Sequence, residues 1–160
     1  MVKKKNRTNI QNLSSSFEHI EAKESDYLYI DNSFILNSGQ GLFTAIPICK
    51  NEIISIFKGE ILSDDEVNKR TKLGNDQYFI NTIDGLILDS AHTKCYAKYA
   101  NDPQGHVKTK FKLNSIITLD DKNNICLVAI KSIKVGEEIY CDYGKKYWKK
   151  RGGNNNKPIG

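Results

Sequence analysis

No two cysteines in this 160-residue chain have the close spacing of a zinc ribbon or a redox dithiol, since the four stand at positions 49, 95, 126 and 141. They read as separate reduced thiols. The longest strongly apolar run, Ile125 to Ile130, falls far short of the roughly 18 residues that a membrane span requires. The amino terminus, MVKKKNRTNI, has a basic start with no apolar stretch behind it. A secretory signal is therefore not expected, and an intracellular protein is. No internal repeat of useful period is present. What remains suits one domain: a chain of this length buries roughly 68–70% of its unfolded surface without disulfide or metal staples, and its apolar content of 39% is enough for a core.

The formal charge of +5 conceals a division. Lys3, Lys4, Lys5 and Arg7 place four positive charges in the first ten residues. From Lys145 onward, Lys145, Lys146, Lys149, Lys150, Arg151 and Lys157 stand without a single acid. The body between holds the other 14 basic residues beside all 19 acids, a charge of −5. Basic ends lower the energy of approach to polyanions such as nucleosomal DNA, and a negative body favours a cationic ligand such as a lysine-rich peptide. Solubility alone would account for such ends equally well.

Three regions follow. Residues 1–25 form a polar arm expected to be flexible, 26–148 a folded domain, and 149–160 a basic, Asn- and Gly-rich tail. Short β-forming stretches dominate the domain: Tyr27 to Ile30, Glu52 to Phe57, Gln77 to Asn81, Gly85 to Asp89, Ile116 to Thr118, Ile125 to Ile130 and Glu138 to Cys141. One helix is signalled by Ser63 as its cap, Glu66 three residues later, and Gly74 beyond the last turn. A second, shorter helix is expected from Thr93 to Tyr99. The fold class is mainly β with short helices.

The glycine-spaced turn Ser38-Gly39-Gln40-Gly41-Leu42-Phe43 lacks the third glycine, the following helix and the later acid of a dinucleotide site, and it is not a P-loop. Its glycines permit close backbone approach to a ligand. Further along stand Phe57-Lys58-Gly59-Glu60-Ile61, Ile87-Leu88-Asp89-Ser90, Tyr99-Ala100-Asn101 and, most telling, Gly136-Glu137-Glu138-Ile139-Tyr140-Cys141-Asp142-Tyr143-Gly144. In order and spacing this series resembles the SET domain of protein lysine methyltransferases over about residues 27–148. The closing Tyr147-Trp148 resembles small stand-alone viral SET enzymes.

The resemblance implies a β-fold of small sheets whose C-terminal segment threads under a loop as a pseudoknot, an arrangement rare among folds. It implies S-adenosylmethionine as cofactor and a lysine-containing protein, foremost a histone, as substrate, the two entering from opposite faces. Gly39, Gln40, Gly41 and Leu42 would lie against the cofactor, Asn101 would hold its amino acid end with Asp102 beside it, and Tyr143 would order the reacting centre as the catalytic residue. Trp148 would stack on the adenine or else anchor the tail. Phe57, Tyr78, Tyr140 and Cys141 are candidates for the substrate channel, although Tyr78 and Tyr140 read equally well as core aromatics. Asn101 also suits an Asx turn before Pro103, and Tyr143 a strand-end core position. No metal site is expected.

Four departures stand out. Asp102 replaces the usual histidine after the motif asparagine, and Pro103 to Leu113 makes a longer loop than usual, with Asn114 as the second motif asparagine. Phe57 stands at a place that is often tyrosine, and Cys141 where Phe or Tyr often limits the number of methyl groups added. The C-terminal zinc-binding cysteines of many relatives are absent. An alternative follows from these changes: a catalytically silent SET-like module that binds chromatin or a partner peptide. A third reading is a nucleic-acid-binding β domain that uses its basic ends. The resemblance further suggests a homodimer. The expected location is the nucleus, its own or a host's, ahead of the cytoplasm, and no membrane partner is expected. His19, His92 and His106 are scattered and read as surface or packing residues.

Overall fold

A computed structural model describes residues 17–105 and 108–150. The basic residues at positions 3–7, Arg151, Lys157 and His106 lie outside the described residues, as do most of the expected arm and tail. Ten short strands and three short helices make up the described chain, together with one 3-10 turn.

Strands β1 (Glu18–His19), β4 (Glu52–Ile56), β9 (Ile125–Ala129) and β8 (Ser115–Leu119) form a four-stranded sheet in that order, parallel only between β1 and β4. β9 occupies an interior position, and all five of its residues are buried. A strand covered on both faces needs a continuous apolar run, which Ile125 to Ala129 supplies. The second sheet runs β10 (Glu138–Ile139), β3 (Gln40–Thr44), β2 (Leu28–Asn32). The third runs β5 (Glu60–Leu62), β7 (Ile87–Asp89), β6 (Phe79–Asn81). Leu42, Ile48, Ile54, Leu127, Ile133 and Ile139 are almost wholly excluded from solvent and belong to one core. At roughly 1.5–3 kcal/mol for each buried aliphatic side chain, this cluster is a dominant favourable term in folding.

Helix α1 (Glu24–Tyr27) is a single turn whose side chains reach β4. Glu24 accepts from Ser55 Oγ at 3.0 Å and from Ile56 N at 2.9 Å, and the Tyr27 hydroxyl donates to Ile54 O at 2.8 Å. Helix α2 (Asp64–Lys72) starts at Ser63, whose Oγ accepts from Glu66 N at 3.3 Å. It ends as the glycine predicts: Gly74 has φ +73°, its N–H donates to Thr71 O, and Asn75 N donates to Arg70 O. The Glu66 carboxylate turns to Arg70 Nε at 3.0 Å, making an i,i+4 pair. Arg70 Nη1 also reaches Glu60 and the buried Asp89, both at 2.6 Å, which ties α2 to the third sheet.

Several boundaries differ from expectation. Residues 17–25, assigned to the flexible arm, carry β1, because Glu18 and His19 find an edge partner in β4. Of the helix expected over Thr93 to Tyr99, only the 3-10 turn Ala97–Tyr99 forms. The tail's Lys149 belongs to helix α3 (Lys145–Lys150).

The chain around β10 is held by two segments. Asn114 donates from Nδ2 to Glu138 O and accepts from Tyr140 N, both at 2.8 Å. Ser115 donates to Tyr140 O through both N and Oγ. Asn101 pairs in parallel with Tyr140, and Cys141 N donates to Asn101 O at 2.9 Å. This clamping delivers Tyr143 to the site.

Candidate active site

A cavity of about 520 Å³ opens between the turn before β3, the segment entering β6, the 3-10 turn with Asn101, and the C-terminal segment. Of the residues singled out from sequence, Gly39, Gln40, Phe57, Tyr78, Asn101, Tyr143 and Trp148 line it. Gly41, Leu42, Asp102, Tyr140 and Cys141 stand behind its wall, and all five are buried.

Gly39 has φ +67°, a conformation that L side chains rarely adopt. Gly41 is glycine for a different reason. A Cβ there would lie 2.2 Å from Glu138 Oε1. The Glu138 carboxylate is buried beneath the turn and accepts from Ser33 Oγ (2.7 Å), Phe34 N (2.8 Å), the Tyr140 hydroxyl (2.8 Å) and Asn101 Nδ2 (3.1 Å). Four donors satisfy a carboxylate whose burial would otherwise be costly. Asn101 Nδ2 also donates to Gln40 O at 2.9 Å, so Asn101 and Glu138 together set the height of the glycine turn.

Tyr140 is placed in the interior, not on the cavity wall. Its hydroxyl is committed to Glu138, and its ring stacks on Phe111 at 5.4 Å. Burial, followed by the Glu138 hydrogen bond, holds its phenol far above the ordinary range. Cys141 is wholly buried with Sγ 3.8 Å from Ala100 O, and desolvation raises its thiol strongly. Neither group presents a side chain to the cavity.

Tyr143 lines the cavity, and its hydroxyl donates to Ala100 O at 2.5 Å. Burial and then the nearby Cys141 raise its phenol well above 10.0, so the hydroxyl stays protonated at neutral pH. Trp148 stacks on the Tyr143 ring, with centroids 5.8 Å apart and planes 17° apart, and Tyr147 meets both rings edge-on. Asp102 explains this arrangement. Its Oδ2 accepts from Tyr143 N at 2.9 Å and from Trp148 Nε1 at 2.8 Å, while Oδ1 accepts from Gln104 N at 2.8 Å. An acid at this position is therefore the anchor of the C-terminal segment. The indole also lies against Gly105, where a Cβ would meet it at 2.4 Å.

Sequence reasoning missed three parts of the site. Lys98 and Tyr99, just before the motif asparagine, both line the cavity. Ser90 lines it as well, and among the described residues its Oγ is buried without a partner. Glu138, which in sequence stands out only as part of a strand, supports the glycine turn. The crowding at Gly41 is invisible without the fold, although the position of Lys98 beside Tyr99-Ala100-Asn101 was a usable signal. Among the described residues no group of three or more His, Cys, Asp and Glu side chains could hold a metal ion, and no helix is long and apolar enough to cross a membrane.

The glycine turn, the asparagine, the terminal tyrosine and the small sheets around them define a SET domain, and the model of that family matches residues 39–144. The chain belongs to the SET-domain family. It is 23% identical over 138 residues to histone-lysine N-methyltransferase 2D of Homo sapiens, covering 84% of this chain and 2% of that protein. It is 28% identical over 112 residues to histone-lysine N-methyltransferase EZ1 of Zea mays, covering 66% of this chain and 11% of that one. The chain thus spans a small fraction of the length of these relatives. Among solved structures it resembles a humanized mutant of the Chaetomium thermophilum Polycomb Repressive Complex 2 bound to the inhibitor GSK126, with a TM-score of 0.61 and 26% identity over 73% of this chain and 15% of that one.

Proposed function

We propose that this protein is a protein-lysine N-methyltransferase that uses S-adenosylmethionine, with histones as the leading substrate class. The observation that carries the reading is the convergence of Gly39, Gln40, Asn101, Tyr143 and Trp148 on one cavity. Its volume of about 520 Å³ falls within the roughly 300–1,000 Å³ typical of ligand sites. The residues present fit the cofactor. Asn101 spends its amide hydrogens on Gln40 O and Glu138, leaving Oδ1 as an acceptor for the ammonium of the cofactor's amino acid end. Gly39 and Gln40 offer backbone groups, and Trp148 an apolar face. When bound, S-adenosylmethionine supplies an electrophilic methyl on a sulfonium.

The acceptor amine must arrive neutral, which for a free lysine with pKa about 10.4 costs about 4.6 kcal/mol at pH 7. A dry cavity beside a cation lowers that cost. Alignment can supply on the order of 7–11 kcal/mol, and Tyr143, fixed through Ala100 O and Asp102, is the group placed to provide it. Phe57 and Tyr78 serve as apolar walls for the lysine stem. The clamping of residues 138–141 by Asn101 and Asn114 supports the reading of a threaded C-terminal pseudoknot.

From the resemblance of Tyr147-Trp148 to the close of viral SET enzymes we infer a homodimer in a nucleus, its own or a host's. The basic residues of the two termini would contact nucleosomal DNA. The test is incubation with labelled S-adenosylmethionine and mixed core histones. Label on lysine that falls sharply in Tyr143→Phe supports the enzyme, and cofactor binding without transfer in the wild type makes the protein a silent module instead.

A further inference from the structure

Lys98 is the only Lys, Arg, His, Asp or Glu among the described residues that line the cavity. Its ammonium is fixed on the segment that follows β7. Nζ donates to three backbone carbonyls, Ser90 O at 3.1 Å, Ala91 O at 3.3 Å and Thr93 O at 3.2 Å. Three donors meeting three acceptors exhaust an ammonium's hydrogen-bonding capacity. The same nitrogen lies 5.4 Å from the ring centroids of both Tyr78 and Tyr99. Those rings are the aromatic surface that an incoming cation would otherwise use.

No carboxylate of the cavity wall offsets this charge. Asp89, next to Ser90, is turned to Arg70, and Glu138 stands behind Asn101. The other titratable groups on the wall are the phenols of Tyr78, Tyr99, Tyr143 and Tyr147. For Tyr78, burial raises the phenol, which is therefore neutral at pH 7.

We propose that Lys98 is a built-in positive charge that makes the cavity select against a second cation, so that the acceptor lysine is favoured as its neutral amine. This deepens the methyltransferase reading and rests on it. The acceptor ammonium releases its proton to solvent on entry. The freed nitrogen lone pair then forms the N–C bond while the electron pair of the broken S–C bond remains on sulfur. Lys98 acts on the first of these events by destabilising the ammonium. The same charge disfavours the sulfonium of S-adenosylmethionine relative to the uncharged thioether of S-adenosylhomocysteine.

The test compares the wild type with Lys98→Met, Lys98→Gln and Lys98→Arg. In calorimetric titrations the ratio of Kd for S-adenosylmethionine to Kd for S-adenosylhomocysteine should fall severalfold in the Met and Gln variants and stay near wild type in Arg. In the pH profile of kcat at saturating lysine peptide, which reports the bound state, the acid limb should move up by about one unit in the neutral variants, a tenfold loss of rate on that limb, and return in Arg. An unchanged ratio, or a rate loss equal at every pH, overturns the proposal and leaves Lys98 as a clamp on residues 90–93. So does folding of Lys98→Arg alone. Failure of the wild type to bind either ligand would instead count against the methyltransferase reading.

Discussion

Asp102 accepts the indole N–H of Trp148 at 2.8 Å, and the same carboxylate oxygen accepts the backbone N–H of Tyr143 at 2.9 Å. One side chain thus links the end of the motif asparagine segment to the two aromatic groups that close the cavity.

Asp102→Asn removes one of two acceptor oxygens that now serve three donors. The variant should lose roughly 1–3 kcal/mol, the cost of leaving buried donors unmatched. Trp148 is the sole tryptophan, so its release reads directly as a red shift in intrinsic fluorescence, accompanied by weaker S-adenosylmethionine binding in calorimetry.

Tyr143→Phe deletes the bond to Ala100 O and keeps the ring stack on Trp148. Stability should change by about 1 kcal/mol, whereas methyl transfer should drop on the order of 100-fold through lost alignment. Denaturant unfolding and single-turnover rates separate the two effects.

The two glycines of the turn should respond differently to alanine. At Gly41 the new Cβ collides with Glu138 and displaces a carboxylate that holds four donors, so a loss of several kcal/mol is expected. At Gly39 there is open space, and the cost is the positive φ alone, roughly 1–2 kcal/mol. Urea midpoints of the two variants should rank in that order.

Alkaline pH should unfold the protein early. Burial pushes the Cys126 thiol up from 9.0 to about 11, and burial also raises Cys141 and the phenols of Tyr27, Tyr140 and Tyr143. In each case the folded state keeps a proton that the unfolded chain has lost. The stability from Cys126 is therefore complete below pH 9 and disappears as pH rises towards 11. Thermal melts should show Tm falling over that window. At pH 8 a thiol reagent should label Cys49, which is exposed, and spare the buried Cys95, Cys126 and Cys141.

Local signals with strong chemistry were legible in the sequence. Ser63 and Gly74 bounded α2 because capping is decided within a turn, and the apolar run from Ile125 marked the buried strand β9. Strand β3 was read as a glycine turn running into an apolar stretch, because pairing with β2 and β10 overrides glycine's weak strand preference. β1, with two residues, is too short to leave a periodic trace. The site divides in the same way. Motif residues that meet the ligand space were visible by resemblance, but the outward or inward turn of Tyr140 and the reach of Lys98 to residues 90–93 depend on contacts between distant segments. Asp102, a departure from the family pattern, is explained by Tyr143 and Trp148, 41 and 46 residues away.

The most direct test of the central claim is a calorimetric titration of the wild-type protein with S-adenosylmethionine. The account predicts saturable one-to-one binding with a concurrent change in Trp148 fluorescence. Absence of heat at millimolar ligand, with Tm and fluorescence unmoved, would contradict it.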